Sequence, residues 1–312
     1  MARRNRAELT RAGEAGSRRP DAAGPRASVP AAMRTATYSV VIPVFNSAGI
    51  VASTVDRTVA FFRDHGLACE IICVNDGSRD DSWQVLKRKA AEHPEVTVVN
   101  LLRNYGQHSA NLCGLRQAGG DWIVTMDDDL QYPPEEIIHL LTEAAAGSRD
   151  VVYGVFDARR AARDRRLGSQ LISMINRRVF GQPRDLTVTN FRLIRRDVVD
   201  RICADRSAYP YITGLSLLYS RNRGNATVVH APRALGRSNY NLLRITRLVF
   251  TILFSYSAFP LRLSAAVGAV VAALAFATGG IYLAAGLAGA IQVEGWTTLV
   301  VLLSFFNGVT IR

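Results

Sequence analysis

The stretch DWIVTMDDDLQYPPEEIIHLL, residues 121–141, decides the fold class. Its first six residues form the apolar run that is typical of a buried strand, and its last residues have the apolar spacing of a helix that begins after two prolines. Three consecutive carboxylates, Asp127 to Asp129, lie between the two segments. A strand that ends in acidic residues and leads into a helix predicts one strand–helix unit of an α/β sheet.

The stretches on either side repeat this unit. Further strands are predicted for the apolar runs YSVVIPVF, EIICVND, VTVVNLL and DVVYG, and amphipathic helices for SWQVLKRKAAEH and PEEIIHLLTEAAAG. Strands that alternate with helices predict a mostly parallel α/β sheet, in a domain over residues 37–237. Ligands of such sheets bind beyond the carboxyl ends of the strands, so we expect the functional site there.

Composition narrows the function without deciding it. The chain has 312 residues, a formal net charge of +12 and a mean hydropathy of +0.08. These values exclude a wholly disordered chain and a fibrous repeat, and the four cysteines, which form no C-x-x-C pair, favour reduced thiols over disulfides or zinc. The positive charge is compatible with nucleic acid, an anionic membrane or phosphorylated small molecules.

The positive charge is concentrated in two segments. Residues 1–36 contain eight arginines against three acidic residues, and we expect a disordered basic arm there. Residues 157–196 contain eleven arginines against three aspartates, a local charge of +8. Clustered guanidinium groups suit bidentate binding of a phosphate, and they suit adhesion to anionic lipid headgroups equally well.

The C-terminal part of the chain predicts a membrane region over residues 262–312. Residues 263–291 contain no charged side chain and consist mostly of apolar and small residues, and the length of this run predicts a transmembrane helix. The run 296–311 is short for a span, so a second helix of a hairpin, the favoured reading, a re-entrant piece and a shortened helix all stay open. Residues 238–261 predict interfacial helices, and their arginines place the domain at the cytoplasmic face of the inner or plasma membrane.

Two polar clusters follow predicted strands. Asp127 and Asp129, two residues apart in an extended segment, face the same side and could share one Mg²⁺ or Mn²⁺ ion. The alternative is an acidic turn that caps the following helix. The Asp76-Gly77-Ser78 turn could accept hydrogen bonds from a ribose or a base, or serve only as a turn.

The order of the motifs carries a family resemblance. VVIPVFN at 40–46, VNDGS at 74–78, NYGQHSANLCGLRQAGGDW at 104–122 and MDDDLQYPPEEI at 126–137 occur in sequence. Together they resemble the GT-A family 2 glycosyltransferases, and more narrowly the polyprenyl-phosphate glycosyltransferases. The resemblance runs from about Ser39 through the first membrane helix, which is most of the chain. It implies a Rossmann-like GT-A domain with a mostly parallel sheet, followed by interfacial and transmembrane helices.

The resemblance also implies roles for individual residues. Sites for the nucleotide-sugar donor are implied at Pro43, Phe45, Asn46, Asp76 and Asp128, and ligands of the divalent ion at Asp127, Asp129 and Gln131. The acceptor lipid phosphate is expected at Arg165, Arg166, Ser169, Arg192 and Arg237. The catalytic set implied by the resemblance is Asp127, Asp129, Asp185 and Arg233.

The sequence departs from the family pattern at two places. The usual P-x-Y-N-E opening has Phe45 and Ser47 in place of the phenol and the carboxylate, which leaves the base preference of the donor open. The lysine of the late R-x-x-G-x-S-K-Y loop is Asn239, and Arg237 stands two residues earlier as a substitute charge.

The function implied is an inverting, metal-dependent transfer of a sugar from a nucleotide-sugar donor to a polyprenyl phosphate of the membrane, for modification of the cell envelope. Three alternatives are weighed against it. A processive polysaccharide synthase is disfavoured because no Q-x-x-R-W element is present, and a nucleic-acid partner because it explains neither the acidic cluster nor the membrane segment. A non-catalytic membrane scaffold with the same fold stays open, and so does a homo-oligomer.

Overall fold

The computed structural model describes residues 28–156, 166–229, 231, 242–289 and 295–310. These residues form one sheet of seven strands: β1 (Tyr38–Val44), β2 (Cys69–Asn75), β3 (Val96–Asn100), β4 (Trp122–Thr125), β5 (Val151–Val155), β6 (Arg192–Arg195) and β7 (Arg223–Thr227). They also form ten α-helices: α1 (Val51–Asp64), α2 (Ser82–Glu92), α3 (Gln107–Gln117), α4 (Ile137–Gly147), α5 (Arg166–Phe180), α6 (Arg196–Ala204), α7 (Ile212–Tyr219), α8 (Leu242–Tyr256), α9 (Phe259–Leu287) and α10 (Trp296–Thr310).

The sheet is mostly parallel, as the sequence predicts. Its strand order is β3-β2-β1-β4-β6-β5-β7, and β6 runs antiparallel to both of its neighbours, β4 and β5. The other neighbouring pairs are parallel. The five predicted strands are therefore confirmed as β1 to β5, and β6 and β7 are additions that the sequence pattern did not indicate.

Apolar side chains of the sheet enter two cores, one on each face. One core contains residues of α1, α2 and α4, such as Phe62, Leu86 and Leu140, and the other contains residues of α3, α6 and α7, such as Leu115 and Ile202. Both faces of the sheet are thus covered, which explains why the strands are apolar throughout instead of alternating. This layered arrangement leaves the strand ends as the accessible edge.

The interior strand β1 ends in a way that opens this edge. All seven of its residues are buried, and β4 pairs with it only from Tyr38 to Val41. Pro43 lies beyond that pairing, so its missing N–H removes no hydrogen bond of the ladder to β4. Because β4 stops early, the chain after Thr125 turns away beside the end of β1 and forms the acidic segment there.

The first described residues pack against the domain. Val29 and Met33 are buried in the core beside α1 and α4, and the Tyr38 hydroxyl donates to the Met33 carbonyl at 2.5 Å. Described residues before the predicted domain boundary at 37 thus already pack into the core. The arm predicted over 1–36 otherwise falls on residues 1–27, outside the described residues.

The C-terminal helices contrast with the domain in exposure. Helix α9 is long and apolar enough to cross a membrane by its length and composition, and most of its large apolar side chains are exposed. Helix α10 packs against α9, where Ser304 lies against Gly279 and the rings of Phe276 and Phe305 are 6.0 Å apart. The described bounds of α9 and α10 match the predicted segments 263–291 and 296–311 within a few residues. Whether α10 spans the membrane stays a prediction.

Helix α8 lies between the domain and α9. It packs against α5, with Val249 and Ile252 buried, while Phe250 and Phe254 are exposed on its other side. One apolar face on the protein and exposed aromatic rings on the other are compatible with the interfacial role predicted for residues 238–261.

Candidate active site at the carboxyl edge of the sheet

The acidic segment begins two residues after β4. Asp127 is half-buried, and its Oδ1 accepts hydrogen bonds from Gln107 Nε2 at 2.5 Å and from Asn190 Nδ2 at 2.6 Å. Burial, together with the carboxylates of Asp129 and Asp128, raises the pKa of Asp127 to about 6. Its charge is therefore costly in the absence of a cation.

The next carboxylates diverge from one another. Asp128 faces the loop after β1, where its Oδ2 accepts from Phe45 N at 3.4 Å, and burial raises its pKa to about 6. Asp129 Oδ1 accepts from the backbone N–H of Gln131 at 3.2 Å, and Oδ2 accepts from the Gln131 side-chain amide. Leu130 between them has φ +56°, the left-handed conformation that costs a non-glycine residue about 1 kcal/mol or more.

This group of carboxylate oxygens fits a divalent cation. Three carboxylates follow one another at a strand end, and neither Asp127 nor Asp128 forms an ion pair with any described residue. Hard oxygen ligands of this kind are those that Mg²⁺ and Mn²⁺ prefer. The predicted ligands Asp127, Asp129 and Gln131 all lie in this segment, where Asp129 and Gln131 contact each other, and a bound ion there stays a proposal.

A second acidic group lies elsewhere and has its own cation. Asp56, Glu92 and His93 bring ligand atoms within 4.8 Å of one another on α1 and α2. Lys89 Nζ donates to Asp56 at 3.0 Å and to Glu92 at 2.6 Å, and His93 Nε2 lies 3.0 Å from Asp56. Because the lysine already neutralises these carboxylates, the group is explained as an ion-pair network.

Asp76 directly follows β2 and organises the neighbouring loop. It is 3% exposed, and its two oxygens accept the backbone N–H groups of Tyr105 at 2.7 Å and Gly106 at 2.9 Å. These amides stand at the N-terminus of α3, where a carboxylate is stabilised by the unpaired amides and the helix dipole. Asp76 therefore shapes the loop before α3, and direct contact with a nucleoside stays a prediction.

Two hydrogen bonds join the loop after β1 to the loop after β2. Asn46 N donates to Ser78 Oγ at 2.9 Å, and Arg79 N donates to Asn46 Oδ1 at 2.8 Å. Asn46 has φ +53°, which asparagine tolerates better than most residues. Phe45, next to these hydrogen bonds, is 45% exposed, whereas Pro43 is buried within β1. Of the residues predicted for the nucleotide, Phe45 and Asn46 are thus exposed at the edge.

Arg192 is placed differently from its predicted role at an acceptor phosphate. It is the first residue of β6 and is fully buried, and its guanidinium donates to Thr125 Oγ1, Thr213 Oγ1 and Asn190 Oδ1 at 3.1, 3.0 and 3.3 Å. Burial lowers its pKa. All three nitrogens of the guanidinium group thus donate to other residues of the protein, and Arg192 has no exposed surface for a lipid phosphate. In this structure it contacts Asn190, which in turn donates to Asp127.

The structure describes only some of the other residues predicted for the acceptor and for catalysis. Asp185 lies in an exposed turn between α5 and β6. Arg166 and Ser169 are on α5, at its first turn. Arg165, Arg233 and Arg237 lie outside the described residues. Their roles stay predictions.

Sequence reasoning missed two residues that contact the acidic segment, Gln107 and Asn190. Gln107 opens α3, 20 positions before Asp127, and Asn190 precedes β6, 63 positions after it. The only signal was the position of each at the edge of a predicted element, within the stretches NYGQHS and DLTVTNFRL.

The comparisons with known proteins agree with this arrangement. The family model described as "Glycosyl transferase family 2" matches residues 39–203. An undecaprenyl-phosphate 4-deoxy-4-formamido-L-arabinose transferase of Pseudomonas paraeruginosa (strain DSM 24068 / PA7) is 39% identical over 240 residues, which cover 76% of this chain and 70% of that protein. The protein of the same name from Yersinia pestis (strain Pestoides F) is 38% identical over 242 residues, covering 76% and 73%.

Solved structures agree on the fold. Glucosyl-3-phosphoglycerate synthase from Mycobacterium tuberculosis, crystallised with Mn²⁺, UDP and phosphoglyceric acid, aligns with a TM-score of 0.56 at 20% identity, over 72% of this chain and 80% of that one. On the match of the family model and of these relatives, the chain belongs to glycosyl transferase family 2.

Proposed function

We propose that this protein is a membrane-bound, inverting glycosyltransferase that moves a sugar from a nucleotide-sugar donor to a polyprenyl phosphate, for modification of the cell envelope. The observation that carries the proposal is the acidic segment Asp127–Asp129, held at the carboxyl edge of the sheet of a family 2 domain. Relatives at 38–40% identity are named as transferases that use undecaprenyl phosphate.

The donor half of the proposal rests on the loops around the acidic segment. Exposed Phe45 offers an aromatic surface, and Asp76 holds the loop before α3 in place. Asp127 and Asp129, with Gln131, would hold a Mg²⁺ or Mn²⁺ ion, which when bound neutralises the diphosphate of the donor. Mn²⁺ together with UDP is present in the crystal structure of the mycobacterial synthase, which shares the fold.

The acceptor half rests on charge and on the membrane helices. The +8 segment of residues 157–196 contains α5, and α8 and α9 bring apolar surface next to the domain. A lipid phosphate at a bilayer surface needs both, because its head group binds guanidinium and its tail stays in the membrane. The soluble domain then stands on the cytoplasmic side, where arginines accumulate.

The reaction is a single displacement. An oxygen of the acceptor phosphate forms a bond to the anomeric carbon of the sugar, and the bond from that carbon to the donor diphosphate breaks. The electron pair of the broken bond leaves on the nucleoside diphosphate, and the configuration at carbon inverts. A phosphate monoester is largely ionised at neutral pH, since its second pKa is about 6, so no residue must remove a proton. The protein contributes positioning and charge neutralisation.

The test is a transfer assay with the full-length protein in detergent, undecaprenyl phosphate, Mn²⁺ or Mg²⁺, and a panel of nucleotide sugars that includes the UDP-linked 4-deoxy-4-formamido-L-arabinose. We expect one sugar to appear on the lipid. We expect Asp129→Asn to lower turnover by about 10²-fold or more, since the variant loses a carboxylate that would hold the cation that neutralises the leaving diphosphate. Asp64→Asn, an exposed aspartate at the end of α1, is the matched control. No transfer from any donor would support the non-catalytic scaffold.

A further inference from the structure

We infer that Gln107 and Asn190 are positioning residues that hold Asp127 between two side-chain amides, and that buried Arg192 sets the orientation of Asn190. This inference deepens the proposed function, because it concerns the ion-binding edge of the same site. It gives Arg192 a role that does not require contact with the acceptor. The geometry that carries it consists of four hydrogen bonds among these residues and Asn111.

The argument begins at Arg192. A guanidinium group has five donors and no acceptor, so every polar atom that faces it must accept. Two of its partners are the hydroxyl oxygens of Thr125 and Thr213, and Thr125 in turn donates to the Asn190 carbonyl at 2.6 Å. The third partner is the Asn190 side chain, which must therefore present Oδ1 to Arg192, as it does at 3.3 Å.

The orientation of Asn190 then fixes what Asp127 receives. With Oδ1 turned to Arg192 and to Asn111 Nδ2, which donates at 3.0 Å, the Nδ2 group of Asn190 points to the other side. There it donates to Asp127 Oδ1 at 2.6 Å. The Asn190 amide thus links Arg192 to Asp127: it accepts from the guanidinium and donates to the carboxylate. The positive charge of Arg192 lies near Asp127 without a direct ion pair.

Gln107 completes the arrangement from the other side. Its Nε2 donates to the same Oδ1 atom, and its backbone follows Tyr105 and Gly106, whose N–H groups are held by Asp76. The first turn of α3 is therefore fixed at two points, by Asp76 directly after β2 and by Asp127 after β4. The same carboxylate that shapes the loop before α3 in this way also places Gln107.

Two donors on Oδ1 give Asp127 a single orientation. Among the described residues no donor reaches Oδ2, so this oxygen is the atom left for an ion at the edge. Residues that orient a metal-binding carboxylate commonly change metal affinity by about 10- to 100-fold when they are removed. Gln107 and Asn190 fit this description from geometry alone.

The experiment measures Mn²⁺ binding to the full-length protein in detergent, by the loss of the free-ion electron paramagnetic resonance signal, alongside KM for Mn²⁺ and kcat in the transfer assay. We expect Asn190→Ala and Gln107→Ala each to weaken Mn²⁺ binding by about tenfold. Because either amide alone still holds Oδ1, we expect the double variant to lose more than the product of the two single losses. We expect KM for Mn²⁺ to rise more than kcat falls.

The control is Asn222→Ala. Asn222 also makes side-chain hydrogen bonds, but at the far end of α4. Its Nδ2 donates to the carbonyls of Gly147 at 3.0 Å and Ser148 at 2.8 Å, and its Oδ1 accepts from Arg149 at 2.8 Å. A general loss of folding would affect this variant too, and the thermal midpoint of each variant reports it. Gln107 is exposed, so its variant keeps the test open if Asn190→Ala unfolds.

The outcomes separate the inference from the proposed function. Wild-type Mn²⁺ affinity in both Asn190→Ala and Gln107→Ala, or an equal loss in Asn222→Ala, overturns the inference while sugar transfer by the wild type can stand. Absence of transfer with every donor, together with the expected losses of Mn²⁺ affinity, overturns the proposed function and leaves the inference. A wild-type protein that binds no Mn²⁺ overturns the inference directly.

Discussion

Gly77 shows how tightly the loops of the site are packed. It follows Asp76 with φ +64°, and a Cβ built on it would lie 2.4 Å from the carbonyl carbon of Arg103 and 2.6 Å from Asn104 N. These neighbours are backbone atoms, which cannot move aside as a flexible side chain could. A methyl group there must displace the loop before α3.

We expect Gly77→Ala to destabilise the protein by about 2–4 kcal/mol, the sum of a left-handed alanine and a backbone clash, and to weaken donor binding. Gly66→Ala is the matched control, because Gly66 has φ +63° and nothing within 4 Å of the added Cβ, so that only about 1 kcal/mol is lost. Chemical unfolding of the full chain compares the two. Equal losses in both variants would show that the loop before α3 yields easily.

His108 belongs to the same loop-helix junction and has no catalytic geometry. Its ring lies edge-on to Tyr211 at 5.0 Å and to Tyr209 at 5.9 Å between centroids, and its Nδ1 is buried with no partner among the described residues. Burial, and to a lesser degree the charge of Arg192, lowers the pKa of His108 to about 3. The folded protein therefore keeps this imidazole neutral.

This pKa predicts a pH dependence of stability. In the unfolded chain the imidazole binds a proton at a pKa of about 6.5, so unfolding takes up a proton at any pH between that value and the folded pKa. The contribution of His108 is present above about pH 6.5 and is lost as the pH falls, by up to about 1.4 kcal/mol per pH unit. His108→Phe keeps an aromatic ring and cannot take up the proton. Its thermal midpoint relative to wild type should thus rise between about pH 7 and about pH 5, and a constant difference would contradict the buried, neutral imidazole.

At the scale of elements, α3 approaches β1 unusually closely. Gly114 faces the strand, and a Cβ on it would lie 2.3 Å from Val41 Cγ1. The close approach lets the first turn of α3 reach the acidic segment, where Gln107 contacts Asp127. Gly114 therefore lowers the helix propensity of α3, but it allows the close approach that places Gln107 at the site.

We expect Gly114→Ala to destabilise the protein by about 1–3 kcal/mol through overpacking, although alanine favours the helix by about 1 kcal/mol. Because the clash is with one methyl group, Val41→Ala in the same chain should recover part of the loss. The measurement is a double-mutant cycle on the free energy of unfolding. Losses that simply add would show that α3 shifts along the sheet and does not press on Val41.

The same elements show what the sequence could predict. β1 to β5 consist of apolar runs, and this pattern was sufficient to predict them as strands. The place of the acidic segment at the edge of the sheet could be predicted because it follows β4. β6 was missed because its four residues, RLIR, include an arginine that is fully buried, and charged residues are rarely buried. β7, RGNAT, lacks an apolar run. Asn190 could not be assigned because its contact with Asp127 spans 63 residues and depends on β6.

At the scale of the whole molecule, charge and apolar surface are separated. Of the +12 net charge, +5 belongs to residues 1–36 and +8 to residues 157–196, so the rest of the chain sums to −1. The exposed apolar side chains concentrate in α8, α9 and α10. Helix α5, which carries Arg177 and Arg178 of the +8 segment, packs against α8. The proposed orientation in the membrane depends on this nearness of positive charge to the apolar helices.

The proposed orientation can be tested with thiol labels. Burial raises the pKa of Cys69 to about 11 and of Cys73 to about 12, and it raises the pKa of Cys113 and Cys203 as well, so the native thiols are protonated at neutral pH and react slowly. New cysteines at exposed positions therefore report on a low background. Asp64 lies on the domain, and Ala288 follows the last residue of α9.

In right-side-out membrane vesicles, a membrane-impermeant maleimide should label Ala288→Cys directly and Asp64→Cys only after the vesicles are opened by detergent. The physical reason is that α9 separates the two positions, with the arginine-rich side facing the cytoplasm. Labelling of both variants before detergent would mean that α9 does not cross the bilayer. Labelling of Asp64→Cys alone would place the domain outside, where a nucleotide-sugar donor made in the cytoplasm could not reach Asp127, and would overturn the proposed function together with the orientation.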